Sequence, residues 1–267
     1  MASGLCKTKY PIILLHGTGS RDREDKSCWG RIPQALRDHD AIVYFGHQDA
    51  WGTIEENAAV IKESVNAALS ATGCSKVNII AISKGGLEAR YMISKLDMEE
   101  KVASLTTIST PHYGSKTMDF FCYKLKYVMK LASFFINWLY RKLGDKKPDF
   151  FCLCRQLTTD YCKKFNNEIL DSGYVYYQSY ASLMKKSYSD MLLFFPHLVV
   201  KWFDGDGDGI VSINSAKWGE FKGVITGNGI RGISHSDLRD LRKKDGRGTD
   251  IVGVYVEIVR GLVEKKL

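Results

Sequence analysis

The chain reads as an α/β protein built on a mostly parallel, doubly wound sheet, and three observations predict it. Apolar runs such as Tyr10-Pro-Ile-Ile-Leu-Leu15 and Val77-Asn-Ile-Ile-Ala-Ile82 are too continuous for strands with one wet face, and suit a sheet covered on both faces. These runs alternate with helical patterns, as βαβ units do. At 267 residues and 45% hydrophobic content, the chain can build one generous domain. We read residues 1–267 as that single domain, with a helical cap inserted within 116–200.

In chain order, a buried strand over Tyr10–Leu15 runs into the loop His16-Gly17-Thr18-Gly19. Ser20–Ser27 is charged and expected to be solvated, Trp29–Leu36 predicts a short helix, and Ala41–Phe45 a strand. Thr53–Ser70 is a strong amphipathic helix: Thr53 can cap it, Glu56 lies three residues on, and Ile54, Ala58, Ile61, Val65, Ala68 and Leu69 form one stripe. Thr72-Gly73 ends it. The strand over 77–82 follows, then a helix to about Leu96 and a strand over Val102–Ser109.

From Met118 the texture changes to an aromatic, lysine-studded helix reaching Tyr140. Its longest charge-free run, Leu131–Tyr140, is far short of the ~20 residues that span a bilayer. Gly144 and Pro148 break it, and a second helical stretch covers Asp149–Leu170. Two readings of this insertion stand: a helix pair packed on the core, or a cap whose apolar face covers the site and opens onto lipid. Gly173–Tyr180 and Leu198–Phe203 read as strands, Asp204–Ser212 as an acidic loop, and Thr249–Leu267 as a closing helix.

Ser83 sits where the strand over 77–82 ends and two glycines, Gly85 and Gly86, open a helix. Strand, sharp turn and helix with a serine at the apex make an elbow that exposes a nucleophilic hydroxyl. The bland alternative is Ser83 as an ordinary helix N-cap. An activated serine needs a base and an acid that orients it. Downstream lie only His112, His197 and His235. His235 falls in a loop before the last helix, where a base would be delivered. His112 precedes every plausible acid, and His197 lies in a packed apolar run. For the acid, Asp204, Asp206 and Asp208 compete; the Gly-Ile-Val-Ser after Asp208 favours it, with Asp206 next. An oxyanion hole needs two backbone N–H groups. Lys84 supplies one and Thr18, in the loop after the first strand, the other.

The net charge of +8 invites a nucleic-acid reading, but no basic run interleaved with stacking aromatics follows a known module. The excess is local, since residues 113–200 hold 13 Lys and Arg against 7 Asp and Glu. Basic charge beside aromatics suits an anionic lipid surface. The seven cysteines are odd in number and scattered, without Cys-x-x-Cys spacing, so free thiols are expected and zinc is not. Nothing at the N-terminus reads as a secretory signal, which gives a cytoplasmic expectation.

Five stretches together resemble the bacterial triacylglycerol lipases of the α/β-hydrolase fold, those of pseudomonads and Proteus. They are Tyr-Pro-Ile-Ile-Leu-Leu-His-Gly (10–17), Lys-Val-Asn-Ile-Ile-Ala-Ile-Ser-Lys-Gly-Gly (76–86), Ser-Thr-Pro-His-Tyr-Gly-Ser (109–115), Asp-Gly-Ile-Val-Ser (208–212) and Ile-Ser-His-Ser-Asp-Leu (233–238). The resemblance implies carboxylester hydrolysis through an acyl-enzyme, with Ser83 as nucleophile, His235 as base and acid, Asp208 orienting it, Thr18 and Lys84 in the oxyanion hole, and the cap as an interfacial lid. It also implies a lipid or acyl-ester substrate, transient contact with a membrane or lipid-droplet surface, and a structural calcium, for which Asp237 and Asp190 match ligands. The chemistry itself requires no cofactor. The sequence departs from the family at Ala81, at Leu241, where a glutamine is expected, and at Lys84, whose ammonium is expected near the acyl site.

Three rivals remain. Asp204–Ser215 looks like an EF-hand loop, but Ser215 stands where the bidentate glutamate belongs. A catalytically dead α/β-hydrolase would bind without turnover. Acyl transfer or thioester cleavage would use the same triad.

Overall fold

Side chains of the first strand alternate between two cores, which is how the sheet comes to be covered on both faces. The computed structural model describes residues 4–22, 28–241 and 249–267. It holds β1 (Ile12–Leu15), α1 (Ile32–Asp38), β2 (Val43–Phe45), α2 (Ile54–Thr72), β3 (Val77–Ile82), α3 (Lys84–Lys95) and β4 (Val102–Ile108). The cap region follows, with α4 (Lys116–Asp119), a π-helical segment (Phe120–Lys124), α5 (Lys126–Lys142), α6 (Phe150–Gln156) and α7 (Thr159–Glu168). The chain closes with β5 (Tyr176–Ser182), α8 (Phe194–Phe203), α9 (Ile213–Ala216), β6 (Glu220–Ile225) and α10 (Ile251–Glu264).

The six strands form one sheet in the order β2-β1-β3-β4-β5-β6, every pair parallel. Ile12 and Leu14 join Ile80 and Ile82 against α1 and α10, through Ile32, Leu36, Tyr255 and Ile258. Ile13 and Leu15 join Ile79 and Ala81 on the other face, against Ile61 and Val65 of α2 and Met92 of α3. A period of two in the strands thus meets helical stripes on each side. Strands that run parallel with helices between them present all their carboxyl ends at one edge, where a doubly wound sheet places its site.

Several local expectations hold. The Thr53 side chain accepts from the Glu56 N–H at the start of α2, and Gly73 ends that helix at φ 68°. Others do not. Leu198–Phe203 is the end of helix α8, not a strand: Leu193, His197 and Val200 are buried while Phe195, Leu198 and Trp202 are exposed, a three-to-four-residue period. A short apolar run cannot by itself separate helix from strand, and Pro196 is tolerated in a first helical turn. The sixth strand is β6, whose Glu220 and Lys222 mark it as a charged edge strand with no apolar run to reveal it. The stretch 149–170 divides at Thr158, whose side chain caps α7. Of the loop expected to be solvated, Ser20 is buried and the Asp22 carboxylate accepts from Trp29 Nε1 at 3.2 Å; residues 23–27 lie outside the described set.

The cap is not a core-packed helix pair throughout. Of α5 only Ser133 is buried; Tyr127, Leu131, Phe134, Phe135 and Trp138 are exposed. The end of α5 rests on the loop after β2, with Trp51 edge-on to Tyr140. Among the described residues, no helix is long and apolar enough to cross a membrane.

Candidate active site

The elbow is strained as its sequence predicts. Ser83 adopts φ 56°, ψ −132° between β3 and α3, a conformation that costs a non-glycine residue about 1–3 kcal/mol. Surrounding hydrogen bonds impose it: Ser83 N–H donates to Ile108 O at 3.0 Å, while its carbonyl accepts from Gly86 N–H at 3.1 Å and from Thr110 Oγ1 at 2.7 Å. Two glycines make room. A Cβ on Gly17 would meet Ser83 Cβ at 2.8 Å, and one on Gly85 would meet His16 O at 2.8 Å. The loop after β1 therefore presses directly against the serine at Gly17, the residue before Thr18, while Lys84 follows Ser83 as the first residue of α3.

Asp208 is fully buried and saturated with donors. Its Oδ1 accepts from Ile210 N–H at 3.0 Å and Val211 N–H at 2.9 Å; its Oδ2 accepts from Ser182 Oγ at 2.8 Å and stands 2.8 Å from His235 Nδ1. Burial pushes the carboxyl up, but the His235 charge, the hydrogen bond to it and the two backbone donors outweigh that effect and hold it below the usual carboxylate range. An ionised Asp208 accepts only, so in the neutral form of His235 it is Nδ1 that carries the proton and Nε2 that has the free lone pair. His235 N–H also donates to Asp208 O at 3.0 Å, fixing the two residues to each other through the main chain.

The other histidines are occupied. His112 is buried with Nε2 3.0 Å from Thr107 Oγ1 and Nδ1 3.3 Å from Arg90, and its ring stacks on Trp218. His197 engages Ser187 at 2.8 Å and the Met184 carbonyl at 2.9 Å. His235 alone of the three pairs with a carboxylate through one nitrogen and, among the described residues, has no partner on the other. Asp204 instead caps the start of α4, accepting from Lys116 N–H at 2.7 Å and from Thr117 Oγ1 at 2.8 Å. Asp206 is exposed beside Lys201. These roles for Asp204 and Asp208 leave no EF-hand loop.

The structure thus brings Asp208 and His235 together and sets the Gly17–Thr18 loop against Ser83. It does not form a Ser83–His235 hydrogen bond among the described residues. The expectation that the Lys84 ammonium faces the acyl site is wrong: the side chain is fully buried and paired with Glu88, one helical turn on. Asp190 and Asp237 do approach each other, each bonded to the Ser234 hydroxyl, at 2.9 and 2.8 Å. Calcium takes six to eight oxygens; among the described residues, no third His, Cys, Asp or Glu joins this pair, so backbone carbonyls and water would have to supply the remaining ligands.

Sequence reasoning missed two hydroxyls behind the acid. Ser109 Oγ lies 2.8 Å from Ser182 Oγ, which in turn bonds Asp208. Ser83, Ser109 and Ser182 each follow or close one of three adjacent strands, β3, β4 and β5, and that recurrence at consecutive strand ends was the available signal.

The sequence pattern of the palmitoyl protein thioesterase family matches residues 11–222. A triacylglycerol lipase 2 of Saccharomyces cerevisiae is 30% identical over 92% of this chain and 79% of its own length. A triacylglycerol lipase of Pseudarthrobacter phenanthrenivorans is 38% identical over 42% of this chain, a match confined to 36% of that protein. In fold, the mature Bacillus licheniformis lipase BlEst2 superposes with a TM-score of 0.68 at 19% identity, covering 94% of this chain and 92% of that one. With the strained elbow serine after β3 and the Asp208–His235 pair, held through Ser182 at the end of β5, both at the sheet's carboxyl edge, the chain is an α/β-hydrolase of the lipase and esterase type and belongs to the palmitoyl protein thioesterase family.

Proposed function

We propose that the protein cleaves acyl esters of medium or long chain through an acyl-enzyme formed on Ser83. Ser83 Oγ attacks the acyl carbonyl while His235 Nε2 takes its proton. Asp208 holds the imidazole in the tautomer that leaves Nε2 basic and stabilises the imidazolium that forms. The backbone N–H groups of Thr18 and Lys84 receive the developing oxyanion. The protonated His235 then delivers its proton to the leaving alcohol, and water repeats the sequence in reverse to release the acid. The observation that carries this reading is the 2.8 Å Asp208–His235 contact, with the other imidazole nitrogen free, at the same carboxyl edge of the sheet as a serine held at positive φ.

The family match also favours thioesters, which the same machinery would cleave with a thiol as leaving group. The test is hydrolysis of p-nitrophenyl butyrate and of palmitoyl-coenzyme A by wild type and Ser83→Ala. We expect turnover of at least one by wild type and a loss of about 10⁴-fold or more in the folded variant. Equal rates in the two proteins sink the assignment.

A lipid surface is the proposed partner. The exposed aromatic face of α5 carries Lys126, Lys130, Arg141 and Lys142 and no acid, and α8 adds exposed Phe195, Leu198 and Trp202. Apolar side chains ringed by cations suit insertion among lipid headgroups. The seven cysteines are all free, which accords with a reducing, cytoplasmic setting.

A further inference from the structure

Lys84 lends the proposed reaction its backbone N–H, yet its side chain is engaged elsewhere. The ammonium, fully buried, pairs with Glu88 and donates to the Asp49 carbonyl at 3.2 Å. Glu88 Oε1 also accepts from Asn57 Nδ2 at 2.7 Å. Asn57 grips Asp49 with both ends of its amide: Nδ2 donates to Asp49 O and Oδ1 accepts from Asp49 N–H, each at 2.9 Å. The loop 46–52 held in this way touches the loop after β1 on both sides of Thr18. Gln48 Nε2 donates to His16 O at 3.2 Å, and Gly19 N–H donates to Ala50 O at 3.3 Å.

Stability does not explain such a pair. Two charges taken wholly out of water incur a desolvation penalty that their attraction often fails to recover, and apolar replacements of such pairs are frequently neutral. Burial does push the Glu88 carboxyl up, with Lys84 opposing. What the pair supplies is geometry. It ties helix α3, which begins with the Lys84 N–H, to a loop that contacts the residues flanking Thr18.

We infer that Lys84 and Glu88 are a positioning pair that fixes the spacing of the Thr18 and Lys84 backbone N–H groups, and with it the oxyanion hole. The inference rests on the reading of Ser83 as the nucleophile. A misplacement of about 1 Å at such a site costs on the order of 10²-fold in rate, so the contribution is measurable.

The test is the double variant Lys84→Met/Glu88→Gln, which leaves no unpaired buried charge. Rates on p-nitrophenyl butyrate are referred to active sites titrated with a fluorophosphonate, and thermal midpoints are recorded alongside. We expect a midpoint within about 5 °C of wild type, a kcat lower by about 10- to 100-fold and a KM within about two-fold. A folded double variant with kcat within about two-fold of wild type, or with only KM raised, overturns the inference. Asn57→Ala keeps both charges and loosens the same loop, so it serves if the double variant does not fold. There we expect kcat to fall about three- to ten-fold with KM unchanged, and an unaltered kcat is equally fatal. Ser83→Ala separates the two levels. Wild-type rates in that variant take down the reading of the site and this inference with it, whereas a dead Ser83→Ala beside a fully active double variant takes down the inference alone.

Discussion

His235 Nδ1 stands 2.8 Å from Asp208 Oδ2, while the rival carboxylate of Asp204 is bound to Ser115, Lys116 and Thr117 at the start of α4. The two aspartates lie four residues apart and do unrelated work. Asp208→Asn keeps the shape but presents an amide that favours the wrong imidazole tautomer, so kcat should drop by about 10³- to 10⁴-fold. Asp204→Asn should leave kcat within about three-fold and lower stability by about 1 kcal/mol, the usual size of a lost helix cap. Exposed Asp206, paired with Lys201 at 3.4 Å, should be neutral on both counts. Steady-state kinetics and urea unfolding of the three variants check this. A larger rate loss in Asp204→Asn would move the acid.

Ser182 donates to the same Asp208 oxygen that faces His235, and Ser109 backs Ser182 in turn. Removing a hydrogen bond to a charged acceptor typically costs about 1.5–3 kcal/mol. We expect Ser182→Ala to lower kcat/KM by about ten-fold and to move the pH at which the rate rises, since Asp208 then presents a less shared charge to the imidazole. Ser182→Thr, which keeps the hydroxyl, should recover most of the rate. An unshifted pH profile in Ser182→Ala would make the contact structural only.

Much of this site was legible in the sequence because local rules carry it. A serine between an apolar run and two glycines can hardly be anything but a tight strand-to-helix passage, and the glycine after Asp208 marks its turn. Thr53 and Gly73 bound α2 for equally local reasons. The failures arise where tertiary context decides. Phe194–Phe203 is apolar enough for either strand or helix, and only burial of His197 and Val200 along one face settles it. Strand β6 is an edge, where charge is useful and an apolar run is not. Lys84 looked like a substrate-facing cation because nothing local reveals that Glu88, Asn57 and the Asp49 carbonyl enclose it. Burial of a charge is a property of the whole fold.

Stability should fall as the solution is acidified, through histidines that are buried neutral. Burial, more than any neighbouring charge, holds His16 neutral down to about 4. In the unfolded chain the same imidazole takes a proton near 6.5. Between those values the unfolded state binds more protons, so stability declines as pH drops from about 6.5 towards about 4 and levels off below, by up to about 1.4 kcal/mol per pH unit. His112, lowered well below its ordinary value by burial and then by Arg90, acts in the same direction. Asp208, held low in the fold, adds a loss at still lower pH, as the solution passes down through its folded value. Urea midpoints at pH 7 and pH 5 should differ by the equivalent of about 2 kcal/mol or more. His16→Gln should flatten the dependence, and a variant as pH-sensitive as wild type would contradict it.

The exposed face of α8 gives the last prediction. Trp202 is 84% exposed and Phe195 74%, on the helix whose His197, with the preceding Leu193, packs against Gly209, next to Asp208. Phe203 stacks on Phe120 at 5.6 Å, linking α8 to the aromatic run that leads into α5. Side chains of this size bury on the order of 150–250 Å² each, which at about 25 cal/mol per Å² gives several kcal/mol for the two and governs how much enzyme sits at a lipid surface. We therefore expect Phe195→Ala/Trp202→Ala to reduce hydrolysis of a long-chain ester presented in anionic vesicles by about ten-fold or more, and of dissolved p-nitrophenyl butyrate by less than about two-fold. Wild-type tryptophan fluorescence should shift to the blue on adding vesicles, and the shift should shrink in the variant. Vesicles of neutral lipid should be bound more weakly, because Lys126, Lys130, Arg141 and Lys142 then lack their counter-charge. If the two rates fell together, α8 would be part of the catalytic scaffold and not a landing surface. If neither fell, the aromatic face would have no part in reaching lipid.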